Sequence, residues 1–211
     1  MNTLLVFSYS VLGGIAIALG GTAYFSVDNR YLGAFLFTAA LFTICTFSLN
    51  LFTGRVIYVL ENDRRYAFRL IPIWLGNLLG TWLTAQLELL TRYGPALQEK
   101  AMALCLPKLD DSVLSIFILS VFCNILVSIS VEGYQRNGHE IGKYLSILFG
   151  VMVFVLCGFE HCVANMYYFS VAGLWSGKAL VYVLVMTAGN ALGGVLFPAA
   201  RMLKEKAGAK Y

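Results

Sequence analysis

The chain has 211 residues, of which 59% are apolar and 12% charged, with a formal net charge of +4. Soluble domains carry about 45–50% apolar and about 25% charged residues, so this composition excludes an ordinary water-soluble globule. No basic stripe interleaves with aromatics, which excludes a nucleic-acid partner.

Apolar runs place six membrane segments at 3–27, 31–60, 70–90, 112–131, 144–168 and 178–203, each near or above the ~20 residues that span a hydrocarbon core. Together they form a single all-α transmembrane domain. The first run lacks a basic n-region and a small-residue cleavage site, so it is expected to be a membrane helix rather than a cleaved signal. The second contains Ser48-Leu49-Asn50-Leu51-Phe52-Thr53-Gly54-Arg55, a stretch that does not read as lipid-facing helix. The third carries Gly76-Asn77-Leu78-Leu79-Gly80, and residues 91–111 read as an outer loop. The fifth contains Gly158-Phe159-Glu160-His161-Cys162-Val163-Ala164-Asn165, at the position matching the unusual stretch of the second. The sixth carries Gly189-Asn190-Ala191-Leu192-Gly193-Gly194, 113 residues beyond the third-segment string.

Each glycine-asparagine string ends a set of three segments, so the chain reads as two pseudo-repeats, 1–90 and 112–203. Three is an odd number of crossings, which puts the repeats in opposite orientations, and such proteins often hold their site where interrupted helices meet. The glycines themselves read as small residues that let helices approach. Irregular backbone at membrane depth is tolerated inside protein or along a water-filled path. Its half-helix N-termini would favour an anion.

Topology follows from the cations. Arg64, Arg65, Arg69, Arg136, Lys143, Arg201, Lys204, Lys206 and Lys210 fall on the side of the termini, against Arg30, Arg92, Lys100, Lys108 and Lys178 on the other. The positive-inside rule then puts both termini in the cytoplasm of a multi-pass cell-membrane protein. The five cysteines show no CxxC spacing, so neither a metal site nor a disulfide framework is expected. No cofactor is expected either.

Glu160 and His161 are the most informative residues, because ionisable groups inside a membrane segment are costly and face the bundle interior. The simplest role for Glu160 is to accept backbone N–H bonds that hold the broken turn, with Gly54 and Gly158 as the glycines of the two breaks. A metal transporter lacks the ligand cluster it needs. A membrane enzyme lacks a nucleophile or metal set beside Glu160-His161, so none is expected.

The string from Gly158 to Met166 resembles the signature of the formate/nitrite transporter family. Leu51-Phe52-Thr53-Gly54 is similar to that family's loop in the second helix, Cys123-Asn124-Ile125-Leu126-Val127 to its fourth helix, and Gly76-Asn77 and Gly189-Asn190 to its third and sixth. The resemblance implies an aquaporin-like protomer with its own pore, assembled as a homopentamer in lipid and passing small monovalent anions or their acids. It implies that His161 is the central pore histidine, facing Thr53, with Asn165 nearby. Leu41 and Leu51, with Phe37 on one side, would line the cytoplasmic slit, and Phe154 the periplasmic one. Lys108 would be the vestibule lysine, and Asn124 would line the path.

Formate and nitrite lead among the expected substrates, with hydrosulfide and lactate also compatible. Passive flux and proton co-transport both stay open. An aquaporin-like neutral-solute pore is the further alternative, but the twin Asn-Pro-Ala loops that mark it are absent. Two features depart from the family pattern. The amphipathic segment that usually precedes the first helix is expected to be missing, and Glu132 stands where many members have an aromatic. Arg55, directly after Gly54, either snorkels to the cytoplasm or adds charge beside the pore.

Overall fold

The computed structural model describes residues 3–208. Their secondary structure is helical: α1 (Thr3–Phe25), α2 (Arg30–Thr46), α3 (Phe52–Val56), a 3-10 turn (Val59–Glu61), α4 (Arg64–Leu89), α5 (Gly94–Asp110), α6 (Val113–Arg136), α7 (Glu140–Leu156), α8 (Cys162–Ala172) and α9 (Gly177–Lys206). Short polar side chains start the long helices. Asn29 accepts from Tyr31 N and Leu32 N, Asp63 from Tyr66 N, Ser112 from Ser115 N and Ser176 from Ala179 N. Each satisfies a donor that the first turn leaves unpaired.

The radial distribution of polarity is the reverse of a soluble protein. Asn77, Asn124, Asn190, Ser120 and Thr53 are fully buried, while Leu87 and Leu114 are 66% and 67% exposed. Such a belt belongs in lipid, where polar groups must find partners inside the bundle. By length and composition α1, α6 and α9 can each cross a membrane.

With lipid outside, helices associate through close packing rather than through apolar burial. Small residues supply it: α4 lies on α1 and α9 lies on α6 with glycines at the seams. A Cβ on Gly76 would come 2.6 Å from Ser10 Cβ, and one on Gly189 would come 2.6 Å from Ser120 Cβ. The two seams are built alike.

The 91–111 stretch is corrected by the structure. It is not a loop: α5 is a 17-residue helix packed on α8. Gln98, Glu99, Lys100 and Lys108 hide it from a search for apolar runs. Yet Leu97, Ala101 and Cys105 are buried at four-residue spacing, which is the pattern of one helix face. Helix α4 also begins before the expected residue 70, at Arg64, and α9 runs past 203 to Lys206. Lys210, counted among the terminal-side cations, lies outside the described residues.

Candidate functional site: two helix breaks joined at Thr53 and His161

The first break lies between α2 and α3. Helix α2 ends with Leu49 N donating back to Ile44 O (2.9 Å), with Ser48 in the left-handed region at φ 53°. This is the closing hydrogen bond of a Schellman-type terminus. Asn50 N then donates to Tyr9 O of α1 (3.2 Å), and the chain turns into α3. Asn77 of α4 clamps the turn, accepting from Phe52 N (2.8 Å) and donating to Asn50 O (2.8 Å) and Ser10 O (2.7 Å).

The second break, between α7 and α8, repeats this construction at a constant offset of 110 residues. Phe159 N donates to Phe154 O (3.0 Å), Gly158 stands at φ 66°, and Glu160 N donates to Leu119 O of α6 (3.3 Å). Asn190 of α9 accepts from Cys162 N (2.8 Å) and donates to Glu160 O (2.8 Å) and Ser120 O (2.7 Å). The two asparagines therefore satisfy the main-chain groups that each interruption exposes, as buried backbone requires.

Chemistry enters where the repeat is broken. Position 51 is Leu, and it caps α3 with no side-chain hydrogen bond. Its counterpart is His161, whose Nδ1 accepts from Ala164 N (3.1 Å) as the cap of α8. An Nδ1 that accepts carries no proton, so the neutral ring bears its hydrogen on Nε2. That nitrogen lies 2.9 Å from Thr53 Oγ1. Phe154 stacks on the imidazole at 5.7 Å and 14°, and Phe37 meets Phe154 edge-on at 6.1 Å.

A cavity opens on either side of this junction. The first, of about 100 Å³, is lined by Leu41, Ile44, Ser48, Leu51, Gly54, Arg55, Tyr58 and Tyr134, among others. The second, of about 40 Å³, is lined by Phe154, Gly158, Phe159, His161, Ala164, Asn165, Lys108, Tyr24 and Tyr168, among others. Both are large enough for water. Ile44, Ser48, Leu51, Gly54, Arg55, Tyr58 and Tyr134 stand 110 residues from Phe154, Gly158, His161, Ala164, Asn165, Tyr168 and Tyr24. The two cavities are thus counterparts, lined by the same backbone positions.

Of the residues expected at a site, Thr53, His161, Asn165, Lys108, Phe154 and Glu160 converge on the junction and the second cavity. Leu41, Leu51 and Gly54 line the first, and Gly158 the second. Three expectations change. The Glu160 carboxylate does not brace backbone N–H groups: it pairs with Lys108 Nζ (2.5 Å) and accepts from Asn165 Nδ2 (2.8 Å). Its main chain carries the bracing instead, through Asn190. Phe37 does not join Leu41 and Leu51 but packs on Phe154, because it sits about three turns before Ser48 on α2. Asn124 lines neither cavity; its Nδ2 donates to Thr53 O (3.2 Å) and Asn190 O (2.6 Å) and so ties the breaks together. Sequence reasoning took Asn77 and Asn190 as part of packing strings. Their signal was a wholly polar side chain following a packing glycine in both halves.

Among the described residues no group of three or more His, Cys, Asp or Glu could hold a metal ion. Lys108 and Glu160 side chains are only 12% and 4% exposed. The Oδ1 atoms of Asn124 and Asn165 are buried without a partner among the described residues.

An all-helical transmembrane bundle with two interrupted helices and a polar junction between paired cavities is the build of a channel or transporter rather than of an enzyme. Comparison with known proteins gives the family. The model described as "Formate/nitrite transporter" matches residues 1–203. The chain is 31% identical to the uncharacterized transporter YrhG of Bacillus subtilis, over 93% of this chain and 82% of that protein. It is 27% identical to the nitrite transporter NirC of Salmonella typhimurium, over 89% and 78%. Among solved structures, a pentameric formate channel with formate bound superposes with a TM-score of 0.85 at 24% identity, covering 97% of this chain and 98% of that one. An FNT family ion channel superposes with a TM-score of 0.79 at 26% identity, over 93% and 88%. The chain belongs to the formate/nitrite transporter family.

Proposed function

We propose that the chain is one protomer of a pentameric channel that passes small monovalent anions, formate or nitrite foremost, or their conjugate acids. The observation that carries this reading is the Thr53–His161 hydrogen bond, which closes the junction between two cavities lined by equivalent residues.

In this reading the membrane is crossed six times. Helices α2 and α7 have 17 residues each, or about 25 Å of rise, which falls short of a core about 30 Å thick. Each crosses only together with its continuation, α3 or α8. The two halves are inverted, and both termini are cytoplasmic by the positive-inside rule. The first cavity then opens inward and the second outward. The N-terminus of α3 counts for less than its sequence promised, since a five-residue helix builds little dipole.

A bare anion entering an apolar slit loses several kcal/mol of hydration. Two features of the junction offset that loss. His161 Nε2–H, held in place by the Nδ1 cap bond, and the Thr53 hydroxyl can both turn from each other to donate to a solute oxygen. Protonating Nδ1 would break the cap bond with Ala164, so His161 serves as a neutral donor. Desolvation between Leu51 and Phe154 also favours the protonated form of a weak acid. The unpaired Oδ1 of Asn165 is an acceptor fixed by its Nδ2 bond to Glu160, and it suits an acid O–H better than an anion. Lys108 draws anions toward the outer mouth while Glu160 cancels most of its charge.

Proteoliposome uptake of formate, nitrite, hydrosulfide and glycerol between pH about 5 and 8 tests the proposal. Selective anion passage, reshaped by His161→Asn, is the expected result. Unchanged flux and pH dependence in that variant would remove His161 from the mechanism. Brisk glycerol flux without anion flux would leave the fold and refute the function.

A further inference from the structure

We infer that Arg55 forms an anion-binding site in the first cavity, and that its preferred ligand is a planar monovalent anion with two oxygen atoms, such as a carboxylate or nitrite. The inference rests on the proposed function only in taking that cavity as a pore mouth.

Arg55 is half-buried on α3 and lines the larger cavity together with Ser48 and Tyr134. Its one hydrogen bond among the described residues is a long one, Nη2 to Ser48 O at 3.4 Å. Its Nε and Nη1 have no protein acceptor, and no carboxylate among the described residues lies within ion-pair distance of it. This lack of a partner has a local cause. Glu61 is held by Arg201, and Glu132 by Arg136 (2.9 Å) and Arg201 (3.3 Å). The same pairing accounts for Glu132, the residue that departs from the family pattern: it is the carboxylate through which α6 and α9 are pinned.

The arginine's backbone is fixed as well, since Tyr66 OH of α4 donates to Arg55 O at 2.7 Å and Tyr58 N donates to the same oxygen at 3.2 Å. A guanidinium so anchored presents a fork that matches two coplanar oxygens, where an ammonium would act as a point charge. The Ser48 hydroxyl, which makes no hydrogen bond among the described residues, stands beside it as a further donor.

The contrast with the second cavity sharpens the point. There the cation, Lys108, is neutralised at 2.5 Å by Glu160. One mouth therefore carries a compensated charge and the other a free one. A passive pore cannot be made directional this way, but its two faces can differ in apparent affinity.

The test has two readouts. In detergent solution, line broadening of ¹³C-formate is titrated against the wild-type protein, R55Q, R55K and H161N. Wild type and H161N should show saturable binding that nitrite displaces. R55Q should bind at least about tenfold more weakly, the loss of a charge-assisted hydrogen-bond pair. Chloride and hydrosulfide should displace formate at least about tenfold less well than nitrite. In vesicles, R55Q should raise the half-saturating concentration from the first-cavity face and leave the opposite face unchanged.

R55K with the gel-filtration profile of wild type guards against misfolding, and binding intermediate between wild type and R55Q supports the fork. R55K equal to wild type, or chloride equal to nitrite, would reduce the site to charge alone and overturn the ligand assignment. Unaltered formate binding in folded R55Q would overturn the site. Arg55-dependent binding without any anion flux would refute the proposed function and leave this inference standing.

Discussion

The two helix breaks share a frame and differ in what fills it. In both, a left-handed residue ends the first half-helix, a main-chain N–H reaches a neighbouring helix, and an asparagine clamps the turn. At three positions the substituents diverge: Ser48 against Gly158, Asn50 against Glu160, and Leu51 against His161. The shared part is the solution to a backbone problem, since an interrupted helix in a membrane must satisfy its own polar groups. The divergent part carries the chemistry. One break supplies an apolar wall and a free cation, the other a hydrogen-bonding imidazole and a compensated ion pair.

Breaking the ion pair should have the largest effect on stability. Lys108→Ala leaves Glu160 almost wholly buried without its cation, which costs about 3–5 kcal/mol and should lower the detergent melting temperature strongly. Adding Glu160→Gln should recover part of the loss, because Asn165 can still donate to the amide oxygen. The first break offers the control: Asn50→Gln, at the equivalent position, has no buried charge to expose.

Removing a clamp comes next. Asn190→Ala and Asn77→Ala each delete three buried hydrogen bonds. At roughly 0.6 kcal/mol per bond in a membrane, each should cost about 2 kcal/mol. The two variants should melt alike if the frames are equivalent. A clear difference between them would show that one break bears more of the fold.

Making the breaks chemically alike sharpens the comparison further. His161→Leu converts the second cap into the first. It should reduce anion flux at least about tenfold, the value of one charge-assisted hydrogen bond, with little change in melting temperature because Leu51 already caps α3 that way. Swapping the left-handed residues should act by about 1 kcal/mol in opposite senses. Gly158→Ser destabilises and Ser48→Gly stabilises, as read by thermal unfolding.

The smallest effect lies outside both breaks. Lys100 donates to Asp28 at 2.8 Å, and this hydrogen bond, followed by the charge attraction, holds the Asp28 carboxyl below its ordinary value of 3.8. A lowered carboxyl contributes stability above its ordinary range and loses it as pH falls below that range. Asp28→Asn should therefore remove only a slight acid sensitivity of melting and leave flux unchanged. The group is fully exposed, and solvent screens the pair.

Much of this protein follows from its sequence alone. Composition is a sum over residues, so the membrane class needs no folding argument. The breaks were legible because glycine, asparagine and ionisable residues interrupt apolar runs at matching places, and the signature around His161 carried the family with it. Helix α5 stayed hidden because a search for apolar runs ignores a helix with one apolar face, although Leu97, Ala101 and Cys105 held the signal.

The tertiary structure decided the rest. That Glu160 meets Lys108 rather than backbone donors, that Asn124 braces instead of lining a path, and that Phe37 serves Phe154 all depend on which side chains from distant segments arrive at one point. So does the freedom of Arg55, which exists only because Glu61 and Glu132 are held elsewhere. Local pattern fixes which residues face inward. It does not fix which partner each buried polar group finds, because that choice is made among groups from different helices, by distance and direction, once the helices have packed.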